Sequence, residues 1–325
     1  MMLAFTLMLP VAALADAASD AVYKASLPMF ADPAGAPTST QGPFMDVPPG
    51  AKLRAVCYSG AHDITVNGLL FTPYGAAPDR PAPLIIMLHG LGGRKEQMES
   101  MGQKAAAIGY AAFMIDLAGQ GARAGAAGAF PSYQTEDAFA NAFVSNVATS
   151  IIDLRRAIDF LSTVPEVDAR HVCVVGGSFG AVVGAIFAGV EPRINAVVLI
   201  SGGGDVASLL VEQANAGVSL GGHYASLIKS TALDKMKSQF APVDPDIYAP
   251  HIAPRPLFMQ NGRLDNTIPP AHAEALYAAA GDPKQIVWLP DSGHNPPPDV
   301  TLANLTQFLA RAFPAHPATT TASAR

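Results

Sequence analysis

The chain has 325 residues, half of them hydrophobic and 14% charged, which suits one large domain or two ordinary ones and excludes a disordered, highly solvated polymer. Its formal net charge is -6 and its 20 Lys and Arg are scattered. No cationic stripe is on offer to nucleic acid, and no polybasic segment to a membrane surface.

In chain order, the first segment is an apolar run over residues 2–14 that closes on Ala13-Leu14-Ala15, the small-residue pattern read by signal peptidase. Residues 1–15 are read as an export signal, although no Lys or Arg precedes Lys24, and the expected location is secreted or periplasmic. Beyond it no uncharged apolar run reaches spanning length, so no membrane partner is expected. Residues 16–50, rich in Pro, Ala and Gly, are expected to form a loosely packed arm, and residues 314–325 a disordered tail.

Residues 51–313 carry the main pattern. Two extended runs, 53–59 and 64–72, are separated only by a turn and predict an antiparallel hairpin at the N-terminal edge of a sheet. From Pro81 onward, short apolar runs alternate with helical patterns, the signature of βαβ units. Strands are predicted at 84–88, 111–116, 171–176, 196–201, 256–261 and 285–290. A helix is predicted over 143–161, where Val147, Ile151, Leu154, Ile158 and Leu161 form one apolar stripe. Asp153 with Arg156, and Arg155 with Asp159, read as surface pairs on it. Further helices start at Gly180, Pro270 and Asp299. The expected fold is α/β, with a mostly parallel central sheet of about eight strands flanked by helices. The interval 202–250 is too long for a simple crossover and predicts a small helical cap.

The strongest local signal is Gly176-Gly177-Ser178-Phe179-Gly180, where an apolar strand meets a helix rich in Ala, Gly and Val. A nucleophilic serine at a strand end needs a tight turn that projects its hydroxyl, and small neighbours let chain pass chain. The hydroxyl needs a base, and the base an orienting carboxylate. His294, in Asp291-Ser292-Gly293-His294-Asn295, follows one strand; Asp265, in Asn261-Gly262-Arg263-Leu264-Asp265, follows another. Loops after parallel strands open on one edge of the sheet, so Ser178, Asp265 and His294 can converge as a catalytic triad. Asp244, Asp246 and Asp291 rank below Asp265. His62, His171, His223, His251, His272 and His316 lack the placement of His294. In His89-Gly90-Leu91-Gly92-Gly93 the Leu91 N–H, with that of Phe179, supplies an oxyanion site, and His89 itself reads as a brace for its loop.

Dispersed histidines, the absence of HExxH and two lone cysteines argue against a metal, and no cofactor is implied. Asp116-Leu117-Ala118-Gly119-Gln120-Gly121 lacks the full dinucleotide fingerprint and is set aside. Cys57 and Cys173 each sit in an apolar run and read as buried small hydrophobes.

On these residues, together with residues 165–168 and Pro254-Arg255-Pro256-Leu257, the stretch 53–313 resembles the α/β-hydrolase superfamily. It is most similar to the dienelactone-hydrolase and prolyl-oligopeptidase-like branch that includes acetyl-esterase-type enzymes. The resemblance implies Ser178 as nucleophile, Asp265 as orienter, His294 as base, and Leu91 and Phe179 as oxyanion donors. Three departures stand out. Dienelactone hydrolases proper carry cysteine where this chain has Ser178. Acetyl-xylan-type relatives carry Arg-Gly-Gln where it reads Ala118-Gly119-Gln120. There is no room for the oligopeptidase propeller. The family's sheet order also implies that Cys57 and Cys173 lie about four strand spacings, roughly 19 Å, apart, beyond disulfide reach. The expected activity is hydrolysis of uncharged small or medium esters through an acyl-enzyme. A small serine peptidase on the same triad is one alternative, and a non-catalytic binding protein on this scaffold another. The expected partner is a small-molecule ester, and no pattern assigns an oligomeric state.

Overall fold

The structure, a computed structural model, describes residues 17–31, 35–126 and 128–314; the expected export signal and nearly all of the expected tail lie outside them. Its strands are β1 (Ser39–Gln41), β2 (Met45–Val47), β3 (Ala51–Ser59), β4 (Thr65–Pro73), β5 (Ala82–Leu88), β6 (Ala111–Ile115), β7 (Val167–Gly177), β8 (Ile194–Ile200), β9 (Leu257–Gly262) and β10 (Lys284–Leu289). The helices are α1 (Ala17–Ser26), α2 (Glu99–Ala107), α3 (Glu136–Leu161), α4 (Phe179–Val190), α5 (Val206–Ala216), α6 (Ser219–His223), α7 (Ala225–Lys229), α8 (Leu233–Phe240), α9 (Pro245–Tyr248), α10 (Pro270–Ala279) and α11 (Pro298–Ala312).

The continuous apolar runs become central strands because both of their faces are covered. In β5 the period of two sends Leu84, Ile86 and Leu88 into one core and Ile85 and Met87 into the other, all at 0% exposure. The first core is completed by α3, α4 and α10, through residues such as Ile151, Ile186 and Leu276. The second is completed by α2 and α11, through Ala105, Ala106, Leu305 and Leu309. Burial of each such Leu or Ile stabilises the fold by about 1.5–3 kcal/mol. The sheet order is β1-β3-β4-β6-β5-β7-β8-β9-β10, with β2 pairing β3. The pairs from β6 through β10 are parallel, whereas β3 and β4 run antiparallel, joined to β6 by an antiparallel pair.

Several expectations change. The hairpin β3–β4 forms, but it is not the outermost element, because the arm adds β1 and β2 beside β3. Nor is the arm's N-terminal part loosely packed. Phe30 is fully buried, Tyr23 Oη donates to Gly189 O at 3.1 Å, and the Tyr23 ring stacks on His251 at 3.5 Å between centroids. Two well-placed aromatics anchor a stretch whose bulk composition suggests a linker. Helix α3 starts seven residues earlier than 143, where Thr135 accepts a hydrogen bond from Ala138 N–H as N-cap. Its presumed surface pairs are mostly internal. Asp153 is 0% exposed, paired with Arg123 at 2.7 Å and accepting from Ala61 N–H, while Arg156 donates to Ser59 O. Arg155 pairs instead with Glu191, and Asp159 with Arg193. Cys173 is buried, but Cys57 is only half-buried, its thiol donating to Asn67 Oδ1 at 2.9 Å. Both cysteines are free, and four strand steps separate β3 from β7.

Candidate active site

Strand β7 runs straight into α4, and the chain has to reverse within one residue. Ser178 takes that strain, with φ 56° and ψ -120°. The flanking glycines are a steric requirement: a Cβ on Gly176 would lie 2.1 Å from Gly180 O, and one on Gly180 would lie 2.3 Å from Leu88 O. The Ser178 N–H is held by Ile200 O at 2.9 Å, which ties the turn to the neighbouring strand.

Ser178 Oγ and His294 Nε2 are 2.8 Å apart, and His294 Nδ1 lies 2.8 Å from Asp265 Oδ2. A carboxylate can only accept, so Nδ1 carries the proton and Nε2 is left to accept from the serine hydroxyl. Asp265 is 3% exposed, and its other oxygen accepts from the Thr267 and Ile268 N–H groups at 2.8 and 2.9 Å. The turn after β9 therefore fixes the carboxylate by its own backbone. Gly262 lets the two loops touch, since a Cβ there would meet Ser292 O at 2.2 Å. Ser201 Oγ donates to His294 O at 2.8 Å, clamping the histidine loop from the end of β8. The competing carboxylates lie elsewhere. Asp244 and Asp246 accept from Val206 and Asp205 N–H at the root of the insertion, and Asp291 is exposed at a turn.

Residues 89–95 sit beside this constellation. Gly92 N–H donates to Gln120 Oε1 at 2.7 Å and Gly93 N–H to Gly90 O at 3.1 Å. Leu91, in the same loop, lines the space beside Ser178, and Phe179 follows Ser178 as the first residue of α4. His89 Nε2 accepts from Leu117 N–H at 3.1 Å, so Nδ1–H donates to Gly90 O at 2.8 Å. Burial lowers its pKa and favours the neutral ring, and both nitrogens are engaged. Lys95 N–H and Nζ both donate to Asp116. Burial pushes the Asp116 carboxyl up, but the bonds from Lys95 and Ala122 outweigh it and hold its pKa below the usual range. The segment set aside as an imperfect nucleotide motif is thus the brace of this loop.

Two spaces open from Ser178. A cleft of about 670 Å³ is lined by Gln97, Phe130, Ser219, His223, His294 and Asn295, among others. A recess of about 50 Å³ lies between Leu91, Phe179, Val182, Val206, Leu209 and Leu210. Of these, the sequence pattern singled out only Leu91, Phe179 and His294 for the site, with the interval 202–250 as a cap. Gln120 is visible in the chain solely as the end of a motif that departs from Arg-Gly-Gln. Phe130 lies in a Gly- and Ala-rich stretch without periodicity. His223 ranks with the structural histidines until the insertion folds over the cleft. Among the described residues no group of three or more His, Cys, Asp or Glu is arranged to hold a metal, and no helix is long and apolar enough to cross a membrane.

A mostly parallel sheet with a strained serine between strand and helix, and with histidine and aspartate loops on the same edge, defines the α/β-hydrolase fold. Residues 66–295 match the dienelactone hydrolase family, and the chain belongs to that family. The acetyl xylan esterase from Paenibacillus sp. R4 superposes with a TM-score of 0.74 at 20% identity, covering 91% of this chain and 95% of that one. Among curated sequences, acetyl esterase Axe7A of Xylanibacter ruminicola is 28% identical over 141 residues, 43% of this chain. YfhR of Escherichia coli (strain K12) is 38% identical over 47 residues, 14% of this chain. The matched stretches span 30% of Axe7A and 16% of YfhR.

Proposed function

We propose that the protein is a serine carboxylic-ester hydrolase, acting on uncharged esters with a short acyl group through a covalent acyl-enzyme. The observation that carries this reading is the pair of 2.8 Å contacts linking Ser178, His294 and Asp265. In the proposed cycle His294 Nε2 takes the hydroxyl proton as Ser178 Oγ bonds to the ester carbonyl carbon. The carbonyl oxygen becomes an oxyanion and rests on the Leu91 and Phe179 N–H groups, each worth about 3 kcal/mol in sites of this kind. The carbon–oxygen bond to the alcohol then breaks, and protonated His294 returns its proton to the leaving alkoxide. Water, deprotonated by the same histidine, attacks the acyl-enzyme and frees the acid and Ser178.

The small apolar recess beside Phe179 supports a short acyl chain, and the likeness to proteins named acetyl esterase and acetyl xylan esterase points the same way. The apolar residues expected to carry an export signal fit a secreted or periplasmic enzyme. The test is a series of nitrophenyl esters of increasing acyl length beside one aminopeptidase substrate, with fluorophosphonate labelling of wild type and Ser178→Ala. Labelling confined to wild type and turnover highest at two to four carbons are expected. An alanine variant with near-normal turnover, or preferred cleavage of the amide, sinks the reading.

A further inference from the structure

Proton return from His294 fixes which side of Ser178 receives which half of the ester. The leaving oxygen has to lie against His294 Nε2, so the alcohol occupies the space that His294, Asn295 and Pro296 line, the large cleft. The recess that excludes these residues takes the acyl group.

The outer wall of that cleft carries an exposed aromatic ring. Phe130 is 38% exposed and is held in place from three sides. Its ring lies on Gly92, where φ is +70° and a Cβ would sit 3.2 Å from two ring carbons. The His223 ring is 5.1 Å away at 45°. The adjoining Pro131 O accepts from Tyr224 Oη at 2.9 Å, so the Phe130 segment is tied to the junction of α6 and α7. Tyr224 is itself buried and packs on Phe139 at 4.6 Å. An exposed ring fixed in this way keeps its place on the cleft wall with little rotamer freedom left to lose, which is what a stacking platform requires. Gln97, Ser219 and Asn295 put polar side chains on the same cleft, suited to substituents on a ring lying against Phe130.

Resting on the esterase reading, the geometry points to Phe130, with His223 beside it, as the subsite that selects esters whose alcohol bears a six-membered ring, aromatic or saturated. The two kinds of ring share one chemistry here, a broad face of C–H or π character that packs on an aromatic face.

The experiment compares phenyl acetate, cyclohexyl acetate, an acetylated pyranose and ethyl acetate on the full chain, for wild type, Phe130→Ala, Phe130→Tyr and His223→Ala. Phe130→Ala is expected to lower kcat/KM on the ring esters by about five- to tenfold, mainly through KM, with ethyl acetate changed less than about twofold. Phe130→Tyr restores the ring esters, and His223→Ala gives a smaller loss of the same kind. Comparison of the three ring esters separates an aryl preference from a sugar or cycloalkyl one. A parallel fall on ethyl acetate, or ring esters left unchanged by Phe130→Ala, overturns the subsite while leaving the esterase reading intact. Wild-type protein that turns over none of the four esters removes both.

Discussion

The two sides of the cleft are built by different means. On the elbow side, positions are set by backbone: glycines that admit no side chain at Gly176 and Gly180, N–H groups that hold Asp265, and a loop tied to Gln120 and Asp116. On the insertion side, helices α6 to α9 are short, and the wall is made by side chains packing on one another, as Tyr224 does on Phe139 and Phe143 on Phe240. A backbone-defined site tolerates little change, whereas a packed wall can be resized. On the proposed reading, the chemistry resides in the first and the choice of substrate in the second.

Substitutions sharpen that contrast. Ser178→Ala on the elbow side is expected to cost at least about a thousandfold in kcat, read against background hydrolysis. Asp116→Asn keeps the shape of the loop brace but weakens its charge-assisted bonds, and should lower kcat about tenfold with KM little changed. A kcat equal to wild type would mean that the brace does not set the proposed oxyanion loop. On the insertion side, Leu210→Ala should enlarge the recess and move the preferred acyl length up by about one or two carbons, at a cost of about 2–4 kcal/mol in unfolding. An unchanged chain-length profile would place the acyl group elsewhere.

The smallest expected effect lies at the far end of β7, away from the cleft. Burial raises the Asp168 carboxyl, but bonds from Arg170 and His171 outweigh it and bring its pKa down to about 2 from 3.8. A carboxyl whose folded value lies below its unfolded one stabilises the fold above about pH 4, and that contribution is lost as pH falls toward 2. Asp168→Asn should therefore flatten the acid limb of melting temperature against pH while leaving activity at neutral pH unchanged.

The same division explains what the chain discloses before folding. Ser178, Asp265 and His294 each follow a recognisable apolar strand, so local pattern and strand polarity suffice to bring them to one edge. The strands themselves are legible for the same reason, continuous runs buried on both faces. Phe130 and His223 meet where Tyr224 reaches Pro131, 93 positions apart. Ser201 and Gln120 act through single hydrogen bonds to backbone, which no periodicity records. Asp153 and Arg156 follow the helical spacing of a surface pair, yet the β3–β4 hairpin covers them. Long-range packing decided each of these, and composition concealed the anchoring of Tyr23 and Phe30.

The unequal fates of the two thiols have a practical use. Burial drives the Cys173 thiol well above its ordinary pKa, leaving it almost entirely protonated and out of reach of reagents, while Cys57 sits half-open on a strand near the sheet's edge. The unmodified protein thus carries one address for a maleimide dye or spin label, on the far side of the sheet order from the histidine strand β10. A fluorophosphonate reporter on Ser178 would complete a distance pair within a single molecule, with no cysteine engineered in or out.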